Sequence, residues 1–231
     1  EIEFTVNFTQ YSDYKINLLQ CRPLQGKGQP RKVEIPTCIS VKDVFFQSTG
    51  NFMGGSISRR IRRIIYVDPE HYSALSLAGK YDIARFVGKF NKLVKDKEEM
   101  PTLLLGPGRW GTTTPSLGVP VRFSEINHMA AMGEIAYMDG NLMPELSFGT
   151  HFFQDLVETD IFYLALFPGT PGAVWNSELL DLFPVVSGQL IPESSRYADT
   201  LKVYDISEHN LKIMTDIVSQ RLICFIDTRT C

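Results

Sequence analysis

The feature that most constrains the fold is an amphipathic segment near the middle of the chain. In YDIARFVGKFNKLVKD (residues 81–96), apolar residues recur at 3.6-residue spacing, which predicts a helix with one buried face. Strand-like apolar runs lie before it at residues 59–68 and after it at residues 102–105. Other segments continue the alternation, with strand patterns at 44–47, 130–138 and 161–168 and a helix pattern at 150–160. The sequence therefore predicts an α/β fold with a mixed sheet.

Local signals refine this outline. The C-terminal segments TLKVYDI, LKIMTDI and RLICFID resemble three antiparallel strands, so we expect α+β character there. Asp68 as N-cap and Pro69 at the first helical position predict a short helix. The run RRIRR at residues 59–63 concentrates four arginines, which on a strand form either a solvated basic edge or a patch facing phosphates.

The composition is that of an ordinary globular protein, and it argues against several classes of partner. Hydrophobic residues make up 44% and charged residues 21% of the 231-residue chain. The formal net charge of −3 gives no overall attraction to nucleic acid or to an anionic membrane, and no run of about 18 apolar residues is present to span one. Four scattered cysteines without C-x-x-C spacing are typical of reduced thiols. We therefore expect a cytoplasmic protein with neither a nucleic-acid nor a membrane partner, and its oligomeric state stays open.

A glycine-rich segment, GPGRWGTTTPSLGVP (residues 106–120), follows the strand pattern at 102–105. It matches the dinucleotide-binding pattern G-x-G-x-x-G, but Pro115, Gly118 and Pro120 disfavour the helix that this pattern requires. It also matches the glycine spacing of a P-loop, but it lacks the lysine that reaches the phosphates. Neither standard nucleotide loop is therefore expected here.

Two interpretations of the glycine-rich segment stay open. In the first, its backbone amides converge on an anion, Arg109 adds a forked donor and threonine hydroxyls contribute. The residues predicted to bind the anion are then Gly106, Gly108, Arg109, Gly111, Thr112 and Thr113. In the second, the segment is a glycine turn packed by Trp110, with Arg109 in a structural salt bridge.

A second candidate is LSFGTHFFQDLVE (residues 146–158), which opens the helix expected at 150–160. Ser147 or Thr150 can cap this helix, and the free amides there favour an anion, so Thr150 joins the predicted anion-binding residues. His151 is the candidate catalytic residue, as a phosphate ligand, an acid/base or a phosphoryl acceptor, and the alternative is a capping histidine packed beside its neighbour. Convergence of this segment with the glycine-rich segment would favour a site over a scaffold.

The N-terminal segment predicts a β-hairpin. Residues 2–8 and 15–22 are β-rich runs joined by a polar turn, and a Gly/Pro/Lys linker follows. Glu1 and Glu3 share a face of the first strand, and such a pair can hold Mg²⁺ beside nucleotide phosphates. The chain opens without methionine, directly in a strand pattern, which suggests a piece of a longer protein.

The segment EIEFTVNFTQYSDYKINLLQCRP resembles the last hairpin of the ATP-grasp nucleotide-binding domain of phosphoenolpyruvate synthase and pyruvate phosphate dikinase. That family ends the domain with an acidic-Ile-Glu-aromatic strand, a short turn and a strand closing on Leu-Gln-x-Arg-Pro. The resemblance implies that Glu3, with Glu1 and Gln20, served ATP and Mg²⁺, with Arg22 in the same motif. Glu1 stands where the dikinases usually carry Asp. The implied metal ligands are Glu1 and Glu3, and the implied ATP-binding residues are Glu1, Glu3, Gln20 and Arg22.

The rest of the chain is similar to the C-terminal region of large bacterial proteins named as phosphoenolpyruvate-synthase-like or pyruvate-phosphate-dikinase-like. In the true synthases a swivelling phosphohistidine domain and a TIM barrel follow the ATP-grasp domain. Here SFGTHFF is not the T-x-x-H-A phosphohistidine motif, and 231 residues leave no room for a barrel of ~250. The expected organisation is a terminal ATP-grasp hairpin at 1–23, a linker at 24–35 and an α/β domain of uncertain role at 36–231.

The expected function follows from this resemblance. The chain would be a fragment of a phosphoenolpyruvate-synthase-like, ATP- and Mg²⁺-dependent kinase or transferase, whose C-terminal domain binds a phosphorylated or anionic small molecule. Its other partner would be the remainder of the parent ATP-grasp domain. The alternative is a non-catalytic regulatory or scaffold domain attached to the ATP-grasp module. The fragment alone is not expected to turn over ATP.

Overall fold

In a computed structural model of the protein, residues 2–8, 13–21, 33–136 and 151–228 are described, with the side chains of residues 151 and 153 excepted. Within those ranges, no helix combines the length and the apolar character needed to cross a bilayer. The described residues form several sheets and few helices, which confirms the expected mixed α/β class.

The strands and helices of the described residues are numbered in chain order. The strands are β1 (Ile2–Phe8), β2 (Tyr14–Cys21), β3 (Val44–Thr49), β4 (Phe52–Met53), β5 (Ser58–Arg60), β6 (Arg63–Val67), β7 (Thr102–Pro107), β8 (Arg109–Trp110), β9 (Gly118–Val119), β10 (Ala131–Ile135), β11 (Phe162–Leu166), β12 (Val174–Trp175), β13 (Leu201–Asp205), β14 (Leu211–Asp216) and β15 (Arg221–Ile226). The α-helices are α1 (Pro69–Ser73), α2 (Leu77–Leu93), α3 (His151–Glu158) and α4 (Ser187–Leu190). Short 3-10 turns occupy Val41–Asp43, Phe123–Glu125, Ser177–Leu182 and Pro192–Tyr197.

The larger sheet has six strands in the order β13-β6-β7-β10-β11-β4. Strands β6, β7, β10 and β11 are parallel, and β13 and β4 close the two edges in antiparallel orientation. Because the parallel strands follow one another in chain order, right-handed crossovers place their connections on the same face. On that face, Ile65, Leu104 and Met132 of the sheet belong to one buried cluster with Val87 and Phe90 of α2.

The second sheet covers the opposite face. It has five strands in the order β12-β3-β15-β14-β5, and every neighbouring pair is antiparallel. Alternate side chains of the larger sheet, such as Ile64, Leu103 and Leu164, share a buried cluster with Phe45 and Ile213 of this smaller sheet. The result is three layers, namely helices, the six-stranded sheet and the five-stranded sheet. The central strands are therefore apolar on both faces, as expected for buried parallel strands.

The helix starts agree with the local sequence signals. Asp68 caps α1, because its carboxylate accepts the backbone N–H of His71 at 2.9 Å and Pro69 is the first helical residue. These features confirm the prediction for this helix. Helix α2 begins earlier than the predicted residue 81, because Ser76 accepts the N–H of Gly79 at 3.2 Å and caps it.

The arginine-rich run does not form a single strand, so that prediction is wrong. Strand β5 pairs with β14 in the smaller sheet, whereas β6 pairs with β7 and β13 in the larger sheet. The chain crosses between the sheets at Ile61, which has no exposed surface. Arg59 donates to the carbonyl of Ala130 at 3.0 Å, and Arg60 donates to the carbonyl of Ser207 at 3.0 Å. Burial lowers the pKa of Arg63. The side chains of Arg59 and Arg60 therefore join structural elements.

The three C-terminal strands are antiparallel to their neighbours, but they do not share a sheet. Strands β14 and β15 form a hairpin in the smaller sheet, whereas β13 pairs with β6 at the edge of the larger one. The chain changes sheets just after β13, at the fully buried Ile206. The prediction of three antiparallel strands is thus confirmed, and the structure distributes them over both sheets.

Candidate functional site

The first half of the glycine-rich segment is packed into the core. Trp110 is 1% exposed, and its indole Nε1 donates to the carbonyl of Gly133 at 3.0 Å. A Cβ atom at Gly106 would lie 2.7 Å from Cζ2 of this ring, so glycine leaves the space that the indole occupies. No helix follows, because β8 and β9 form a short parallel pair instead. The helix that the dinucleotide-binding pattern requires is therefore absent from this described segment.

A buried carboxylate beneath this segment was missed by sequence reasoning. Glu134 of β10 has no exposed surface, and its Oε1 accepts the backbone N–H of Trp110 at 3.0 Å. Its Oε2 accepts the hydroxyl of Tyr163, in β11, at 2.6 Å. The available signal was a lone acid in the otherwise apolar run AAMGEIAYM. Glu134 therefore connects β8, β10 and β11.

Four successive backbone amides in the glycine-rich segment donate to acceptors of the protein itself. The amides of Gly108, Arg109 and Gly111 donate to the carbonyls of Ile135 at 2.9 Å, Leu117 at 2.9 Å and Val119 at 3.0 Å. The amide of the fourth residue, Trp110, donates to Glu134 as described above. These amides are committed to the fold, so they do not form an open nest for an anion. Anion binding by Gly106, Gly108 and Arg109 stays a prediction. The backbone of Gly106 pairs with β10, and the amides of Gly108 and Arg109 donate to carbonyls of the protein.

The second half of the segment lines a cavity of about 470 Å³. We call it the α2–α3 cleft, because its walls come from α2, from the glycine-rich segment with the residues that follow it, and from the first turn of α3. The residues that matter for its chemistry are Tyr81, Arg85, Thr112, Thr113, Arg122 and Phe152. Gly111 lines it too, so three predicted anion-binding residues face this cleft. Among the described residues, Arg109 is not part of its wall.

The start of α3 lies against the glycine-rich segment. A Cβ atom at Gly111 would lie 2.7 Å from Cδ2 of Phe152, and Gly111 has a positive φ of 76°. Phe152 also meets Phe123 edge to face, with ring centroids 6.4 Å apart. The two candidate segments therefore converge. Thr150 and the side chain of His151 lie outside the described residues, so the predictions for them remain untested.

The cleft carries positive charge. Arg85 donates from Nη2 to the carbonyl of Pro120 at 2.9 Å and forms an ion pair with Glu125 at 2.8 Å. Its Nε is buried, with no hydrogen-bond partner among the described residues. Arg122 is exposed, and its backbone N–H donates to Oε2 of Glu125 at 2.8 Å. The described lining residues include these two arginines and no carboxylate.

The N-terminal hairpin forms as predicted, and it separates polar from apolar residues. Strands β1 and β2 are antiparallel, and Glu3 lies directly opposite Gln20. The pairs Thr5–Asn17 and Asn7–Lys15 continue this polar face, and the pairs Phe4–Leu18, Val6–Ile16 and Phe8–Tyr14 form the other face. Glu1 and Arg22 lie outside the described residues. Two of the four residues implied to bind ATP are therefore neighbours across the hairpin.

Comparisons of the chain with protein-family models, curated proteins and solved structures find no match. Among the described side chains, no group of three or more His, Cys, Asp or Glu residues is placed to hold a metal ion. The functional argument therefore depends on the cleft and the hairpin.

Proposed function

We propose that the chain is part of a phosphoenolpyruvate-synthase-like, ATP-grasp-containing phosphotransferase, and that its α/β region binds a phosphorylated or anionic small molecule in the α2–α3 cleft. One observation carries the proposal. The cleft brings Arg85 and Arg122 together with Thr112 and Thr113, and no carboxylate stands among its described lining residues.

The two arginines have different roles in this proposal. Glu125 and the carbonyl of Pro120 orient the guanidinium of Arg85, and the ion pair with Glu125 offsets part of its charge. Arg122 supplies the larger share of the positive charge, because it is exposed and the Glu125 carboxylate pairs with Arg85. Guanidinium groups bind phosphate and carboxylate through paired N–H donors, which favours planar or tetrahedral oxyanions over halides.

The other lining residues of the cleft would contact the rest of the ligand. The hydroxyls of Thr112 and Thr113 can donate to further anion oxygens. Phe123 and Phe152 give an apolar surface beside them. A small organic phosphate or carboxylate, with its charged end at the arginines and its carbon skeleton on the phenyl rings, fits this distribution.

For the hairpin, we propose the ATP-binding role that the resemblance implies. Glu3 would hold Mg²⁺ and Gln20 would contact the nucleotide, and bound ATP·Mg²⁺ would supply the phosphoryl group. The shared polar face of Glu3 and Gln20 supports this assignment. The opposite face supports a packing role, because Phe4 is 56% and Phe8 is 80% exposed. We propose that the remainder of the ATP-grasp domain covers that face.

Binding of phosphoenolpyruvate and inorganic phosphate, followed by calorimetry, tests the cleft. We expect saturable binding that weakens about tenfold or more in Arg122→Gln, since hydrogen bonds to charged groups contribute about 1.5–3 kcal/mol. Arg62→Gln is the matched control, because Arg62 is exposed next to the start of β6, which pairs with the start of β7, whereas the glycine-rich segment that lines the cleft follows the end of β7. Equal affinities in the two variants, or no binding of either probe to the wild-type protein, would contradict the proposal.

The catalytic and the regulatory proposals make different predictions for a variant of His151. In the full-length parent supplied with ATP and Mg²⁺, His151→Ala should abolish phosphoryl transfer and leave anion affinity unchanged if this histidine is catalytic. If turnover and affinity both survive, the cleft serves a regulatory or scaffold role instead.

A further inference from the structure

A second cavity lies at the carboxyl ends of the parallel strands. It has a volume of about 590 Å³, and its walls come from the ends of β6, β10 and β11 together with β12 of the smaller sheet. We call it the carboxyl-edge cavity. Its principal lining residues are Tyr66, Asp68, Glu70, Ile135, Phe167 and Trp175. In open α/β sheets, ligands bind outside the carboxyl ends of the strands, and a volume of this size suits a small organic molecule.

One end of this cavity is acidic. Asp68 and Glu70 line it, and its described lining residues include no lysine, arginine or histidine. Oδ1 of Asp68 accepts the backbone N–H of His71 at 2.9 Å and lies 2.8 Å from its ring Nδ1. Oδ2 accepts only the hydroxyl of Tyr66 among the described contacts, at 3.5 Å. Because a carboxylate oxygen has two lone pairs, Oδ2 has capacity for a further donor.

The other walls are aromatic and apolar. Trp175 is half-buried, and its ring centroid lies 6.3 Å from that of Tyr66. Phe167 is also half-buried, and Ile135 is buried. Burial and the nearby charge of Asp68 raise the pKa of Tyr66, so its hydroxyl remains a neutral donor. Aromatic faces next to carboxylates attract cations through the ring quadrupole as well as through charge.

We propose that the carboxyl-edge cavity binds a small organic cation, an ammonium group attached to an apolar or aromatic body. The ammonium group is held by Asp68 and Glu70, and the body lies on Trp175 and Phe167. The two carboxylates disfavour anions here, whereas the arginines of the α2–α3 cleft attract them. The cavity therefore takes a different class of ligand from the cleft, and this proposal does not depend on the proposed function.

Benzylammonium is a suitable probe, and the two tryptophans of the chain provide the readout. In an NMR titration across the millimolar range, the indole N–H signal of Trp175 should shift saturably. That signal is assigned by its loss in Trp175→Phe. The signal of Trp110 should stay in place, because its indole is buried and bonded to Gly133. Benzoate and benzyl alcohol have the same ring with negative and neutral substituents, and neither should produce the shift.

Variants of the acidic end complete the test. Asp68→Asn keeps an N-cap for α1, because Asn caps helices as well as Asp does, and Glu70→Gln keeps size and polarity. Each should weaken benzylammonium binding about two- to fivefold, as expected for the loss of one partly exposed ion pair. Glu208→Gln is the control, since Glu208 is exposed and follows the end of β13, which pairs with the start of β6, whereas Asp68 follows the end of β6. An equal effect in Glu208→Gln, an equal shift with benzoate or benzyl alcohol, or no saturable shift with benzylammonium would overturn the proposal.

Discussion

Glu134 anchors the glycine-rich segment, because one of its carboxylate oxygens accepts a hydrogen bond from Trp110 in that segment and the other accepts one from Tyr163 of β11. Trp110 donates its backbone N–H at 3.0 Å and Tyr163 donates its hydroxyl at 2.6 Å, and none of the three side chains has more than 1% exposure. A buried donor that loses its acceptor costs about 1–3 kcal/mol, and more when the lost partner is charged. The hydrogen bonds of Glu134 therefore stabilise the position of the glycine-rich segment on the sheet.

Replacing Glu134 should show how much these two hydrogen bonds stabilise the protein and whether they act together. Glu134→Leu is expected to lower the free energy of unfolding by about 1–3 kcal/mol for each donor left without an acceptor, measured as a shift in the denaturant midpoint at constant slope. Tyr163→Phe removes one of the two donors. The double variant should therefore lose less than the sum of the single variants, with a coupling energy of about 0.5–3 kcal/mol. Additive losses would show that the two side chains do not act together.

Gly106 gives a second test at the scale of one residue. A Cβ atom there would lie 2.7 Å from the Trp110 ring, so Gly106→Ala should destabilise the protein by about 1–3 kcal/mol through overpacking. Gly55 is the matched control, because a Cβ atom there meets nothing within 4 Å. Gly55→Ala should be neutral or slightly stabilising, since alanine restricts the unfolded chain. Thermal unfolding of the two variants compares them directly, and equal melting temperatures would contradict this account of the glycine.

Sequence reasoning at the residue scale identified the right segment but not the division within it. The pattern of glycines with Arg109 and Trp110 suggested an anion nest or a packed turn. The first half of the segment is a packed turn, and anion binding by the second half, which lines the α2–α3 cleft, stays a prediction. Which backbone amides of the segment donate hydrogen bonds within the protein depends on acceptors that are distant in sequence, such as the Glu134 carboxylate and the carbonyl of Ile135. Local spacing carries no information about such partners, so the division at Gly111 could not be predicted.

At the scale of single elements, periodicity and capping signals predicted α1, α2, α3 and most strands, but not α4. Helix α2 and the N-cap Asp68 follow from local side-chain chemistry. Sheet membership follows instead from long-range pairing, which explains the error at residues 59–68. A crossing between two sheets and a continuous strand have the same local pattern when the crossing residue, Ile61, is itself apolar.

The start of α1 predicts a pH dependence. The hydrogen bond and charge of Asp68 raise the pKa of His71 above its ordinary value of 6.5, with smaller contributions from Asp199 and Glu70, and a small desolvation effect acts in the opposite direction. A raised folded-state pKa stabilises the protein fully below the unfolded value, and this stabilisation is lost as pH rises through the folded value. The destabilisation caused by His71→Gln should therefore be larger at about pH 5.5 than at about pH 8.5.

Chemical denaturation at the two pH values measures this difference. Asp68→Asn is the control background, because it keeps the helix cap but removes the charge that shifts the histidine. In that background the effect of His71→Gln should depend much less on pH. A penalty that grows with rising pH in the wild-type background would contradict the assigned direction.

At the scale of the whole molecule, burial is distributed unevenly. Strand β10 lies inside the six-stranded sheet, and all of its residues are buried. The hairpin of β1 and β2 carries large apolar side chains that are mostly exposed, including Phe8 at 80%. A two-stranded hairpin is marginally stable by itself, so local opening should be frequent there and rare in β10.

Hydrogen exchange tests both this distribution and the proposed ATP-grasp origin of the hairpin. In this chain, amides of β10 should exchange at rates near those of global unfolding, and amides of β1 and β2 should exchange orders of magnitude faster. In the full-length parent, the rest of the ATP-grasp domain should cover the face of Phe4, Val6 and Phe8 and slow exchange in the hairpin, with β10 unchanged as the internal control. Hairpin exchange that is equally fast in both proteins would mean that no such domain packs on this face, and the nucleotide role of Glu3 and Gln20 would then lose its structural basis.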